Sequence, residues 1–164
     1  MTELNPVYMS NPVYDILLKQ LRISYPNVCV LYIDQVSNPK LEKAFEKRKL
    51  ELTNEKQLFH GTTASSIHPI VNDGYKASYN KRAAFGPGTY FSSLASYSKD
   101  YAQETTTGES YLIVNRVLLG NNTPSVGQKY TGDSGGDGKT IYVTKYNDAA
   151  LPEYVICFYK NATV

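Results

Sequence analysis

Histidine and cysteine are scarce in this sequence, with two of each among 164 residues. His60, His68, Cys29 and Cys157 do not stand at metal-ligand spacing, so a zinc or iron centre is excluded and no metal site is expected. A disulfide framework is excluded as well, because both cysteines lie inside apolar, strand-like runs. That placement predicts two buried, reduced thiols and a reducing compartment, cytoplasmic in the first instance with the nucleus as the alternative. Charge of either sign is not in excess: 17 basic residues face 15 acidic ones. Such a balance gives no push toward nucleic acid or a membrane surface. The longest apolar run, Val28–Ile33, is too short to cross a bilayer. Met1–Ser10 carries an acid and a proline where a secretion signal needs basic and then apolar residues. What remains is a single domain, residues 1–164, long enough for a real core.

Periodicity supplies the elements. Tyr14–Arg22 reads as an amphipathic helix with Ile16, Leu17, Gln20 and Leu21 on one face. Asn27–Val36 is β-branched and apolar, the pattern of a central strand. Asn38 followed by Pro39 is a helix start, and that helix should run to about Leu52 with Leu41, Ala44, Phe45 and Leu52 inward. Its outer face mixes lysines, glutamates and an arginine, as a solvated face does. After Leu58–Phe59 comes HGTT, and a short helix over Ser66–Asp73 then stops at Gly74. Tyr90–Phe91 is a brief strand before a helix over Leu94–Ala102. Strands are expected at Tyr111–Leu119, Ile141–Tyr146 and Tyr154–Tyr159, with loops over Lys76–Phe85 and Gly120–Lys139. Strands crowd the C-terminal half without regular strand–helix alternation, which predicts an α+β domain.

Two motifs mislead. Gly132–Thr140 (GDSGGDGKT) lacks the first glycine of a phosphate loop, since position 133 is Asp, and it feeds a strand where that loop feeds a helix. A calcium loop from Asp133 would need ligands at Gly135 and Thr144, which cannot serve.

LFHGTT (58–63) and FGPGTYFSSLASYSKDYA (85–102) together resemble the catalytic domain of the poly(ADP-ribose) polymerase family. That family carries a His-Gly on one strand and a Gly-x-Gly-x-Tyr-Phe before the next. Ser98 and Tyr101 then fall where its following helix carries a Ser and a Tyr. QVSNPKLEKAF (35–45) is similar to the strand-to-helix join of its mono-ADP-ribosylating members, and the resemblance extends over roughly residues 25–160. It implies two packed, mostly antiparallel sheets with short flanking helices and a cleft for NAD, which is the substrate. Only about 25 residues precede the first expected strand, so the helical regulatory subdomain of DNA-damage-responsive members is not expected.

The residues suit NAD chemistry. The cationic nicotinamide ring is attracted to aromatic faces by about 0.5–2 kcal/mol each, and Tyr90 and Tyr101 are placed to hold it from two sides. Ser98 stands three residues before Tyr101, on the same helix face, to meet the ring's carboxamide. Gly61, lacking a Cβ, lets its backbone pair with that amide. By the resemblance, His60 bonds the adenosine ribose, and Thr62 and Phe91 complete the NAD-binding set. The family's polymer-making members add a glutamate that holds the nicotinamide-side ribose. Glu153, in PEYVICF, is tempting, but that stretch resembles the last strand, and counting back eleven residues from Pro152 gives Ile141. Glu153 is then a solvated charge at a strand entry. The set His60–Tyr90–Ile141 resembles the mono-ADP-ribosyltransferase branch, which transfers one ADP-ribose to protein acceptors, the chain itself included. Two alternatives stand beside this: a module of the same fold that binds NAD or ADP-ribose without turnover, and an enzyme that modifies nucleic-acid ends. Near-neutral charge gives the latter no support.

Overall fold

A computed structural model describes residues 1–77, 84–124 and 129–160. Parts of the expected loops, residues 78–83 and 125–128, lie outside the described residues, as do 161–164. The chain runs β1 (Glu3–Pro6), α1 (Pro12–Ser24), β2 (Cys29–Ser37), α2 (Pro39–Lys49), β3 (Glu55–Thr62), α3 (Ala64–Asp73), β4 (Thr89–Ser92) and α4 (Ala95–Ser98). A 3-10 turn at Lys99–Tyr101 extends α4, and β5 (Glu109–Leu118), β6 (Ser134–Gly136), β7 (Ile141–Thr144) and β8 (Ala150–Tyr159) follow.

Capping sets the helix starts. The Asn11 side chain accepts from the Val13 amide at 3.0 Å with Pro12 at the first helical position, and Asn38 accepts from Leu41 at 3.2 Å ahead of Pro39. Asn38 also donates its amide to the Val71 carbonyl at 2.8 Å, so one residue starts α2 and ties down the end of α3. The buried face of α1 is Tyr14, Leu17 and Leu21, whereas Ile16, expected inward, is exposed. Anchoring at Tyr14 rotates the stripe so that 14, 17 and 21 share a face and 16 turns away. On α2 Phe45 is fully buried, and Leu52 packs just beyond the helix end. Cys157 is buried but Cys29, at the outer end of β2, is only half-buried, and both are free thiols.

All strand pairs are antiparallel, in the order β1-β2-β8-β5-β3-β4-β7-β6. The two packed sheets expected are thus one hydrogen-bonded, eight-stranded sheet. Its narrow joint is β3–β4, which share the single pair Phe59↔Ser92. Beyond that pair α4 and its 3-10 turn press against β3, so the strands splay. Central β5 and β8 carry the core, with Leu112, Ile113, Val114, Ile156 and Phe158 fully buried. β1 and β6 escaped the sequence reading. β1 is an edge strand of mostly exposed residues, and β6 is Ser-Gly-Gly, with no side chain that favours a strand; its ladder to β7 alone defines it.

Candidate active site

The splay between β3 and β4 opens a cavity of about 690 Å³, walled by His60, Gly61, Thr62, the start of α3, Tyr75, Thr89 and Tyr101. This lies within the range of roughly 300–1,000 Å³ typical of small-molecule sites.

His60 sits on β3 where it passes β4. Its Nδ1 lies 2.7 Å from the Tyr90 carbonyl. A carbonyl only accepts, so Nδ1 carries a proton, and burial pushes the imidazole pKa below its usual value. Neutral His60 therefore holds its remaining nitrogen, Nε2, as an acceptor. The ring is wedged against Tyr75 (centroids 5.0 Å, edge-on) and Phe91 (5.5 Å). Phe91 is buried and meets the site through this ring.

Gly61 is glycine for a reason different from the one expected. A Cβ there would stand on the Ser98 backbone carbonyl, so only glycine lets α4 approach β3. The approach exposes backbone as well. Ser98 Oγ bonds the Phe59 carbonyl at 3.2 Å, so that carbonyl points toward β4 and away from β5. Peptide groups alternate along a strand, so Gly61 presents its amide and carbonyl on the same edge, past the last β4 pair.

Ser98 is buried, with Oγ 2.7 Å from Ser92 Oγ. The Leu94 carbonyl, 2.6 Å from Ser92 Oγ, and the Phe59 carbonyl, 3.2 Å from Ser98 Oγ, share the two hydroxyl protons with the Ser92–Ser98 contact, and in each arrangement Ser98 keeps a lone pair for an incoming N–H. The Tyr90 hydroxyl accepts from Phe85 N–H at 3.0 Å and donates to the Gly86 carbonyl at 2.7 Å. Gly86 has φ 104°, a conformation that favours glycine, and this is how the loop folds back onto the ring. Tyr101 is 58% exposed at the cavity wall. Its ring lies against Tyr97 at 5.3 Å, with the hydroxyls 3.1 Å apart. Burial and that partner keep the Tyr97 phenol protonated.

Ile141 heads β7, paired with Ser92 and nearly buried. It thus stands one strand from the Ser92–Ser98 contact. His60, Gly61, Thr62 and Tyr101 line the cavity, whereas Tyr90, Phe91, Ser98 and Ile141 do not. Glu153 is elsewhere. It lies inside β8, not at a strand entry, and lines a separate depression with Gln35, Glu46 and Arg116. It is half-buried, and burial raises its carboxyl pKa, so the solvated charge expected is instead a partly desolvated one.

Sequence reasoning missed Tyr75. Its hydroxyl donates to Asn115 Oδ1 at 2.6 Å, and Asn115 in turn donates to the Leu58 and Ile113 carbonyls. This buried chain braces the ring that backs His60. The tyrosine follows a helix-stopping glycine within a polar stretch, and nothing local marks it.

Residues 14–155 match the poly(ADP-ribose) polymerase catalytic domain, and the chain belongs to that family. It is similar to the protein mono-ADP-ribosyltransferase PARP14 of Homo sapiens, 28% identical over 92% of this chain and 10% of that protein. A probable poly(ADP-ribose) polymerase of Dictyostelium discoideum is 29% identical over 82% of the chain and 46% of its own length. The protein mono-ADP-ribosyltransferase PARP12 of Mus musculus is 27% identical over 58% of the chain and 15% of its own length. The chain therefore spans less than half of each of these relatives.

Proposed function

We propose that the chain moves a single ADP-ribose from NAD to protein side chains and releases nicotinamide. The observation that carries the reading is Ile141 at the head of β7, in register with Ser92 and one strand from Ser98. An isoleucine there can neither bond a ribose hydroxyl nor take a proton. In this reading His60 Nε2 accepts from a hydroxyl of the adenosine ribose, while the open edge at Gly61 and the Ser98 oxygen take the nicotinamide carboxamide. Tyr101 covers the cationic ring, and Tyr90 carries the wall opposite. Holding both ends of NAD places the ribose carbon for attack, an advantage worth orders of magnitude in rate.

The bond between that carbon and the ring nitrogen breaks with its electron pair going to the nitrogen, so nicotinamide leaves neutral. The carbon, now oxocarbenium-like, bonds an oxygen of the acceptor. A carboxylate acceptor brings both the nucleophile and the compensating charge and has no proton to lose. A hydroxyl on an attached ADP-ribose would need a base that Ile141 is not, which supports single transfer.

The test is incubation with NAD followed by mass spectrometry of the chain and of added protein. Single ADP-ribose units on side chains are expected. Long polymer would overturn the reading, and tight NAD binding with no transfer to any acceptor would favour the binding module.

A further inference from the structure

Resting on the transferase reading, we infer that Asp137 supplies the fixed negative charge on the ribose side of this site. The β6–β7 ladder pairs Gly135 with Val143 and Gly136 with Tyr142, and the Asp137 amide continues it by donating to the Ile141 carbonyl at 3.1 Å. Asp137, just past the end of β6, therefore stands across the hairpin from Ile141, which pairs with Ser92, and the three form one row. The Asp137 carboxylate sits at the head of β7, with Oδ1 2.8 Å from the Ile141 amide, next to the strand pair that brings Ser92 to Ser98 of α4.

The carboxylate is held in place. Its Oδ1 accepts from the Lys139, Thr140 and Ile141 amides at 2.8, 2.7 and 2.8 Å. Three N–H donors keep the acid ionised, with its pKa below the usual carboxylate range. All three bonds fall on Oδ1, and Oδ2 takes part in none of them. The charge also reaches the aromatic pair: Asp137 is among the groups that raise the Tyr97 phenol, and Tyr97 stacks on Tyr101.

A turn cap needs only the acceptor oxygen. A charge does more, because positive charge moves during the reaction from the nicotinamide ring to the ribose carbon. A carboxylate on the β7 side of the site favours the second distribution, and fixed charges act most where they need no reorganisation.

Asp137→Asn separates the two roles, since the amide oxygen still accepts the three bonds while the charge is gone. The expected result is nicotinamide release from NAD with kcat lowered about tenfold or more, equal to about 1.4 kcal/mol of barrier. The NAD KM should stay within about threefold and Tm near that of the parent. The double variant Asp137→Asn/Ile141→Glu should recover NAD cleavage, because a carboxylate again stands in the row. An Asn variant with kcat within about twofold of the parent would overturn the inference, as would a raised KM at unchanged kcat. If the Asn variant folds poorly, Asp137→Ser decides, since its hydroxyl oxygen can still accept from the turn amides: kcat lowered about tenfold supports the inference, and kcat within about twofold of the parent overturns it. A parent chain that neither cleaves NAD nor labels protein would remove the transferase reading and this inference together, whereas failure of the variants alone removes only the latter.

Discussion

The Nδ1 proton of His60 is fixed on the Tyr90 carbonyl at 2.7 Å, so the two signature residues of β3 and β4 are joined through backbone, not through their side-chain tips. The bond spans the part of the sheet where β3 and β4 share only one ladder pair. It decides the tautomer, and with it which His60 nitrogen can meet a ligand.

That relationship has a pH signature. Folded His60 has its pKa depressed below 6.5, the value expected when unfolded. Above pH 6.5 the ring is neutral in both states and contributes no slope. As pH falls through 6.5 the unfolded chain takes the proton first, so stability declines until the folded pKa is reached. Thermal melts from pH 7.5 downward should show this decline, and His60→Gln should flatten it. NAD protection should persist through that window and fade only as pH falls through the folded pKa, where a protonated Nε2 can no longer accept; protection unchanged below that pKa would contradict the assignment.

Gly61→Ala should be among the most damaging single-methyl changes in the chain. The added Cβ meets the Ser98 carbonyl, which is backbone and cannot rotate aside. Overpacking of this kind costs about 1–3 kcal/mol and sometimes more. A lowered Tm together with loss of the NAD-induced shift is expected, and an Ala variant with parental Tm would mean that α4 does not sit this close to β3.

Tyr101→Ala should separate binding from folding. The side chain is mostly exposed, so Tm without ligand should change little. Loss of one aromatic face on a cation, about 0.5–2 kcal/mol, predicts NAD affinity weaker by roughly two- to thirtyfold. Titration calorimetry on both proteins reads this directly, and equal affinities would place the ring elsewhere.

Ile141→Glu introduces a carboxylate beside Ser92. NAD hydrolysis to free ADP-ribose should rise, since water can then be activated without an acceptor. The position is nearly buried, so a stability loss of about 1–3 kcal/mol is expected. A folded variant that hydrolyses NAD no faster than the parent would count against Ile141 as a site position.

Glu153→Gln should leave transfer within about threefold of the parent, less than roughly 1 kcal/mol of barrier. Burial already disfavours its charge, so Tm should hold or rise. A hundredfold loss of transfer would return Glu153 to the chemistry.

Much of this protein is legible in its sequence because local rules decided it. Asn38-Pro39 starts α2 through a capping side chain and a pre-set ring, effects confined to a few neighbouring residues. The β-branched runs of β2, β5 and β8 fill the centre of the sheet because nothing else in the chain can bury as much apolar surface. The order of His60, Gly61, Tyr90, Ser98 and Tyr101 needed no coordinates either. Tertiary structure alone decided the rest. Ser134–Gly136 is a strand only because Tyr142–Thr144 offers it a ladder. Glu153 is half-buried only because β8 begins at Ala150 and carries it beside Arg116. Tyr75 and Asn115 gain their meaning from partners that the chain brings to them only on folding. A capping pattern acts between neighbours and is written in them, whereas a brace such as Tyr75–Asn115 depends on distances between elements, which exist only once the whole sheet has closed around the site.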